Sequence, residues 1–247
     1  MDRRSSRRNP EWKRGLRKGL LGLMLVLSAF FWRKNQEAGQ QARTGSDAVR
    51  SAEADPVAPA VRETMRLALT FDDGPHPYYT EQLLDGLAKR GVKATFFLLG
   101  ENIEGREEII RRMHEEGHLI GNHTYSHQQL TTLSEEAATQ ELTKTQEVLE
   151  QITGEWPLYV RPPFGSWNRE LEGEVSMLPV LWSVDSLDWT TTNTAEIVRR
   201  VVTQVKEDDI ILMHDYYASS VEAALQVVDQ LQTAGFTFVT ADELIVE

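Results

Sequence analysis

The chain has 247 residues, 40% hydrophobic and 26% charged, with 16 glycines, 9 prolines and no cysteine. This composition excludes collagen-like, low-complexity and multi-span membrane chains. Without cysteine, any metal site has to be built from His, Asp and Glu. The net charge of −12 is uneven, with ten Lys/Arg against two acids in residues 1–34 and sixteen against thirty-six in the rest. A folded part this acidic argues against nucleic acid as a partner.

Residues 1–18 form a basic tail, with Arg3, Arg4, Arg7, Arg8, Lys13, Arg14, Arg17 and Lys18. An apolar run follows, Gly19 to Trp32, closed by Arg33 and Lys34. Fourteen helical residues span about 21 Å against a hydrocarbon core of ~30 Å. Residues 19–34 therefore suit a signal-peptide core or a short transmembrane anchor whose flanking cations snorkel. The nearest Ala-x-Ala site, Ala52-Glu53-Ala54, lies about twenty residues beyond the run, too far for ordinary processing. The expectation is an uncleaved signal-anchor of a single-pass cell-membrane protein, with a cytoplasmic basic tail and an extracytoplasmic domain. A cleaved, secreted form is the alternative. Residues 35–64 lack sustained periodicity and read as a flexible linker with a reach on the order of 30 Å.

From residue 65 to 247 short apolar runs alternate with amphipathic stretches. The strand candidates are Leu67–Phe71, Ala94–Leu99, Leu119–Asn122, Leu158–Arg161, Val180–Val184, Ile210–His214 and Phe236–Val239. Helices are expected over 80–90, 106–116, 134–152, 194–206 and 220–234; the stretch 168–178 is too irregular to assign. Ser134 begins the longest helix, with Glu136 in its first turn. This alternation predicts an α/β fold with about seven parallel strands and helical crossovers, either a distorted (β/α) barrel or an open doubly wound sheet. In a barrel the chemistry gathers at the C-terminal strand ends.

Five polar motifs sit at such ends. Thr70-Phe71-Asp72-Asp73-Gly74-Pro75 sends two adjacent carboxylates into a turn, and the pleat of a strand would point them apart, one toward a metal and one free to take a proton. His123-Thr124-Tyr125-Ser126-His127 spaces two imidazoles as on one helical turn, suitable for gripping one cation. Together with Asp73 they form a two-His, one-carboxylate set that leaves positions open for water and substrate. Arg161-Pro162-Pro163-Phe164-Gly165 fixes an irregular backbone after a strand and offers an arginine to a carboxylate. Trp182-Ser183-Val184-Asp185-Ser186-Leu187-Asp188-Trp189 brings two acids and two tryptophans, and Ile210-Ile211-Leu212-Met213-His214-Asp215 delivers a histidine from a buried-type strand. His76 directly follows the Asp-Asp-Gly-Pro turn, where it could edge the cleft, and reads most simply as a loop histidine; His114 and His118 read as structural or solvated.

In this order the five motifs resemble those of the polysaccharide deacetylase family, the carbohydrate esterases with a NodB homology domain. The resemblance covers Met65 to the C-terminus, and the last two motifs are worded most like those of bacterial peptidoglycan N-acetylglucosamine deacetylases. It implies a distorted (β/α) barrel. It implies Asp72 as catalytic base, with Asp73, His123 and His127 as ligands of one divalent metal ion. Zinc suits that set, as do cobalt, manganese or nickel. Arg161 matches the arginine that tethers the base, His214 the general acid and Asp188 the carboxylate that tunes it. Trp189 and Leu212 match the lining of the acetyl pocket. Phe164 stands where the family more often has tyrosine, at a position that acts through its backbone N–H on the oxyanion.

The implied reaction is hydrolysis of an N-acetyl group on an acetylated glycan, peptidoglycan N-acetylglucosamine above all. The alternatives are chitin oligomers, an O-acetyl ester such as acetylated xylan, and a glycan-binding module that keeps the fold without turnover. The implied partners are the glycan and, through the N-terminal segment, the membrane.

Overall fold

The computed structural model describes residues 65–245, apart from residues 168, 170 and 172–174. The expected basic tail, signal-anchor and linker, residues 1–64, lie outside the described residues. Among those described, no helix is long and apolar enough to cross a membrane.

The elements run β1 (Met65–Gly74), α1 (Tyr79–Arg90), β2 (Thr95–Leu98), α2 (Glu107–Glu115), β3 (Leu119–Asn122), α3 (Glu135–Thr153), β4 (Tyr159–Val160), β5 (Leu178–Pro179), β6 (Val184–Asp185), α4 (Thr194–Val202), β7 (Asp209–His214), α5 (Ala218–Thr233), β8 (Phe236–Val239) and α6 (Ala241–Ile245). All the ladders are parallel. Seven strands follow the order β5-β4-β3-β2-β1-β7-β6, and β8 pairs with the first half of β1. No ladder among the described residues joins β5 to β6, so the barrel is an open one.

The two-residue period of β1 explains how this scaffold places polar groups. Leu67, Leu69 and Phe71 pack among the helices, with Phe71 stacked on Phe96 at 5.3 Å. The alternate residues face the opposite way. Ala68 joins Phe97, Tyr159, Val180 and Ala241 in an interior cluster, and Thr70 and Asp72 follow it toward the strand's C-terminal end. On β7 the same alternation buries Ile211 and Met213 against the helices and turns Ile210 to the interior cluster. The β1–β7 register sets Asp72 directly beside His214.

Local chemistry ends the helices where expected. Ser134 Oγ accepts the Ala137 N–H at the start of α3, and Gly154 closes it with φ +77°. Gly86 of α1 lies on Leu225 of α5, so close that a Cβ would stand 2.4 Å from Leu225 Cδ2.

Two expectations need correction. Val180–Val184 is not a strand: the chain forms two-residue strands on either side, β5 and β6, with Leu181 48% exposed between them. The apolar character of 180–182 serves an open surface and the barrel interior instead of a ladder. The helix expected over 194–206 stops at Val202, where the Gln204 N–H turns to Val201 O in a tighter i→i−3 bond.

Candidate active site

A cleft of about 370 Å³ opens at the C-terminal strand ends. It is lined by Asp72, Asp73, His123, His127, Phe164, Trp189, Leu212 and His214, all singled out from the sequence, together with Pro162, Trp182, Asp185 and Tyr217. Arg161 and Asp188, the other two residues singled out, lie behind the lining, 0% and 2% exposed.

The pleat does not separate Asp72 from Asp73 as a regular strand would. The β1–β2 register slips between Asp72 and Gly74, and Asp73 adopts φ 71°, so both carboxylates reach the same cleft. His123 Nε2 lies 3.8 Å from Asp72 Oδ2 and 3.4 Å from Asp73 Oδ1, and His127 Nε2 lies 3.7 Å from the same Asp73 oxygen. Asp73 Oδ1 is buried and has no hydrogen-bond donor. A buried anionic oxygen without a donor, facing two imidazole nitrogens, is the arrangement a divalent cation would satisfy, and the three ligand atoms lie within 4.8 Å of one another. Burial works against ionised Asp73, but the close approach of His123, with His214 and His127 nearby, holds its carboxyl below the ordinary range. Burial and the charge of His123 hold His127 below its ordinary value, which favours a free lone pair.

The histidine pair does not sit on a helical turn. Residues 123–127 form a loop in which Thr124 and His127 have φ 70° and 57°. Side chains hold these left-handed conformations. Asn122 Oδ1 accepts the Thr124 N–H, and Thr124 Oγ1 accepts the His127 N–H. Glu141 of α3 accepts the Tyr125 and Ser126 N–H groups and the Ser126 hydroxyl. Nothing in the sequence marks Glu141, because an acid on a helix face usually meets only solvent. His123 Nδ1 lies 2.6 Å from Arg161 O, so the ring donates there and turns Nε2 into the cleft.

Arg161, just after β4, ties β1 to the segment that follows β5. Its Nη1 donates to Asp72 Oδ1 at 2.8 Å and Thr70 Oγ1 at 2.6 Å, Nε donates to Val180 O and Nη2 to Leu181 O. The guanidinium lies 4.3 Å over the Phe97 ring. Asp72 is thus aimed by a fixed, fully buried cation.

On the other wall, Asp188 accepts twice from one residue: Oδ1 pairs with His214 Nδ1 at 2.7 Å and Oδ2 with the His214 N–H at 2.8 Å. Burial pulls the His214 imidazole down, but the hydrogen bond and charge of Asp188, helped by Asp72 and Asp73, raise it to about 9. Burial likewise opposes ionisation of Asp188, and His214 overrides it, holding that carboxyl low. The cleft therefore carries a protonated imidazole at neutral pH across from two carboxylates.

Phe164 is 66% exposed with φ 59°, its ring edge-on to His127 at 4.9 Å. In its turn the Gly165 and Ser166 N–H groups go to Pro162 O and Pro163 O, and neither bond uses the Phe164 amide. Six non-glycine residues among those described have positive φ. Five of them, Asp73, Thr124, His127, Phe164 and Leu187, stand in or beside this site. Each such conformation costs on the order of 1–3 kcal/mol and persists where surroundings over-determine it.

Comparison with known proteins agrees with this geometry. Residues 61–180 match the family model described as polysaccharide deacetylase. The chain is 43% identical over 178 residues to peptidoglycan-N-acetylmuramic acid deacetylase PdaC of Bacillus subtilis, covering 72% of this chain and 38% of that protein. It is 36% identical to peptidoglycan-N-acetylglucosamine deacetylase PgdA of Listeria monocytogenes, covering 76% and 41%, so it spans about two fifths of these relatives' length. A peptidoglycan-N-acetylglucosamine deacetylase of Bacillus cereus is 35% identical and is covered over 87% of its length, with 72% of this chain. The solved structure of PdaC superposes with a TM-score of 0.72 at 42% identity, covering 74% of this chain and 90% of that one. With a curated relative matched across most of its length and the family's model over 61–180, this chain belongs to the polysaccharide deacetylase family.

Proposed function

We propose that this protein hydrolyses the N-acetyl group of N-acetylglucosamine in cell-wall peptidoglycan, releasing acetate. The observation that carries this reading is the single cleft that joins a metal-ligand set, an arginine-held carboxylate and a carboxylate-backed imidazolium. The names of the three relatives given above, each a peptidoglycan deacetylase, support the substrate class.

Asp73, His123 and His127 would hold one divalent ion, which when bound acidifies a water and polarises the acetyl oxygen. Asp72, held by Arg161, takes the proton of the attacking water as general base. The Phe164 N–H donates to the oxygen on which negative charge develops. His214 gives its Nε2 proton to the departing amine nitrogen. Asp188 keeps the imidazole charged beforehand and fixes its orientation through Nδ1. Trp189 and Leu212 wall the acetyl group.

The sign of the pH dependence follows from His214. Raised to about 9, it is protonated below that pH and loses its proton, and its capacity as an acid, above it. Asp188→Asn removes the dominant raising influence, so the alkaline limb of the kcat/KM profile is expected to move to lower pH. An unmoved limb would exclude the tuning role.

The substrate assignment is tested by treating purified wall glycan with the full chain and analysing muropeptides by mass spectrometry. Loss of one acetyl group from the glucosamine unit is expected. Loss from the muramic acid unit alone, or acetate only from acetylated xylan, would overturn it.

We also propose that residues 19–34 anchor the chain and that residues 35–64 let the catalytic domain range over nascent wall outside the membrane. The basic flank and the apolar run support this. The full-length chain is expected in the membrane fraction with its domain open to external protease. A secreted form starting beyond Trp32 would contradict it.

A further inference from the structure

The cleft continues into a run of rings that the mechanism does not use. Tyr217, which lines the cleft, stands edge-on to Tyr216 with centroids 5.7 Å apart. Tyr216 stands edge-on to His76 at 5.0 Å, and His76 lies tilted against Tyr78 at 6.2 Å. The run crosses the loops that follow β7 and β1, which are neighbours because those strands pair up to Asp72 and His214. Tyr217, Tyr216 and Tyr78 are 45%, 44% and 70% exposed, so core packing does not explain them.

This surface is built rather than loose. His76 Nδ1 accepts the N–H groups of Tyr78 and Tyr79, and its ring stacks on Tyr79 at 4.4 Å. The His76 N–H donates to Thr80 Oγ1 at 2.7 Å, and the Thr80 hydroxyl donates to the fully buried carboxylate of Asp215. Gly74 carries no Cβ where one would meet Asp215 oxygens at 2.6 and 2.7 Å, so the turn can close onto this carboxylate. With Nδ1 accepting two amides, the neutral ring carries its proton on Nε2.

Rigid rings with polar tips, exposed and continuous with a cleft, match what a pyranose presents, an apolar C–H face edged by hydroxyl and acetamido groups. We infer that Tyr216, His76 and Tyr78 form an accessory binding surface for sugar units beyond the immediate neighbour of the one being deacetylated, so that the protein works along a glycan strand. This rests on the deacetylase reading above, which supplies the occupant: the strand leaving the cleft past Tyr217 meets Tyr216 first.

The test compares N-acetylglucosamine oligomers from dimer to hexamer on the full chain and on Tyr216→Ala and Tyr78→Ala variants. Tyr217 stays unchanged because it lines the cleft. The expected result is a KM for the hexamer raised by about three- to tenfold, with its kcat and the kinetics of the dimer unchanged. Tyr216→Phe, which keeps the ring face, should restore most of the affinity. Equal losses on dimer and hexamer, or an unchanged advantage for the longer substrate, would overturn the inference. If the wild-type chain released acetate neither from any oligomer nor from wall glycan, the deacetylase reading would fail separately. Binding of the same oligomers, followed by intrinsic fluorescence, would still decide the ring surface: a gain in affinity with length that the alanine variants lose supports it, and one they keep overturns it.

Discussion

Asp72→Asn is expected to lower kcat by roughly 10²–10⁴-fold while the metal still binds, and His214→Ala to do the same from the other wall of the cleft. The amide is the size of the carboxylate and keeps an oxygen for Arg161 Nη1, now 2.8 Å from Asp72 Oδ1, but it cannot take a proton from water. Asp73, His123 and His127 keep their ligand atoms in both variants. A base thus separates from a structural partner of Arg161 by readout. In the first case turnover collapses with the metal retained. In the second the thermal midpoint falls and the turnover of the folded fraction survives. The measurement is steady-state acetate release together with metal content of the same preparation.

Removing Arg161 should have the largest effect on stability. The side chain is fully buried and answers Thr70, Asp72, Val180 and Leu181 at once. Arg161→Ala strands the Asp72 carboxylate, 5% exposed, away from solvent and leaves two strand-end carbonyls without their donor. Breaking a buried pair from one side costs about 3–5 kcal/mol, a large share of what holds a domain together. The denaturant midpoint is expected to fall accordingly. Arg161→Lys should recover only part of the loss, since an ammonium keeps the charge without the planar fork that reaches both β1 and the segment after β5. A midpoint within error of wild type for Arg161→Ala would show that this network is incidental.

The central strands were legible in the sequence because burial on both faces leaves continuous apolar runs, as in Leu67–Phe71 and Ile210–Met213. The edges were not. Leu178–Pro179 and Val184–Asp185 are too short to carry a period, and the apolar run between them serves another purpose: Trp182 lines the cleft and Leu181 faces solvent. The ten site residues were legible as types at strand ends, but not in their geometry. Spacing suggested a helical turn for His123 and His127, whereas left-handed residues and the Glu141 carboxylate shape that loop. The pleat suggested that Asp72 and Asp73 diverge, and a register slip brings them together. Glu141, Tyr217 and the ring surface depend on contacts between residues far apart in the chain, which local pattern does not encode. His76 is the sharpest case, read from the sequence as a loop histidine and found at the centre of an anchored aromatic cluster.

The most direct test of a hydrolytic site built on Asp73, His123 and His127 is metal titration of the chelator-treated full chain while acetate release from N-acetylated wall glycan is recorded. Activity is expected to be absent after chelation, to return in proportion to bound metal and to level off at one ion per chain, with His127→Ala failing to recover. Full acetate release from metal-free protein, or recovery by the His127→Ala chain equal to wild type, would contradict the account.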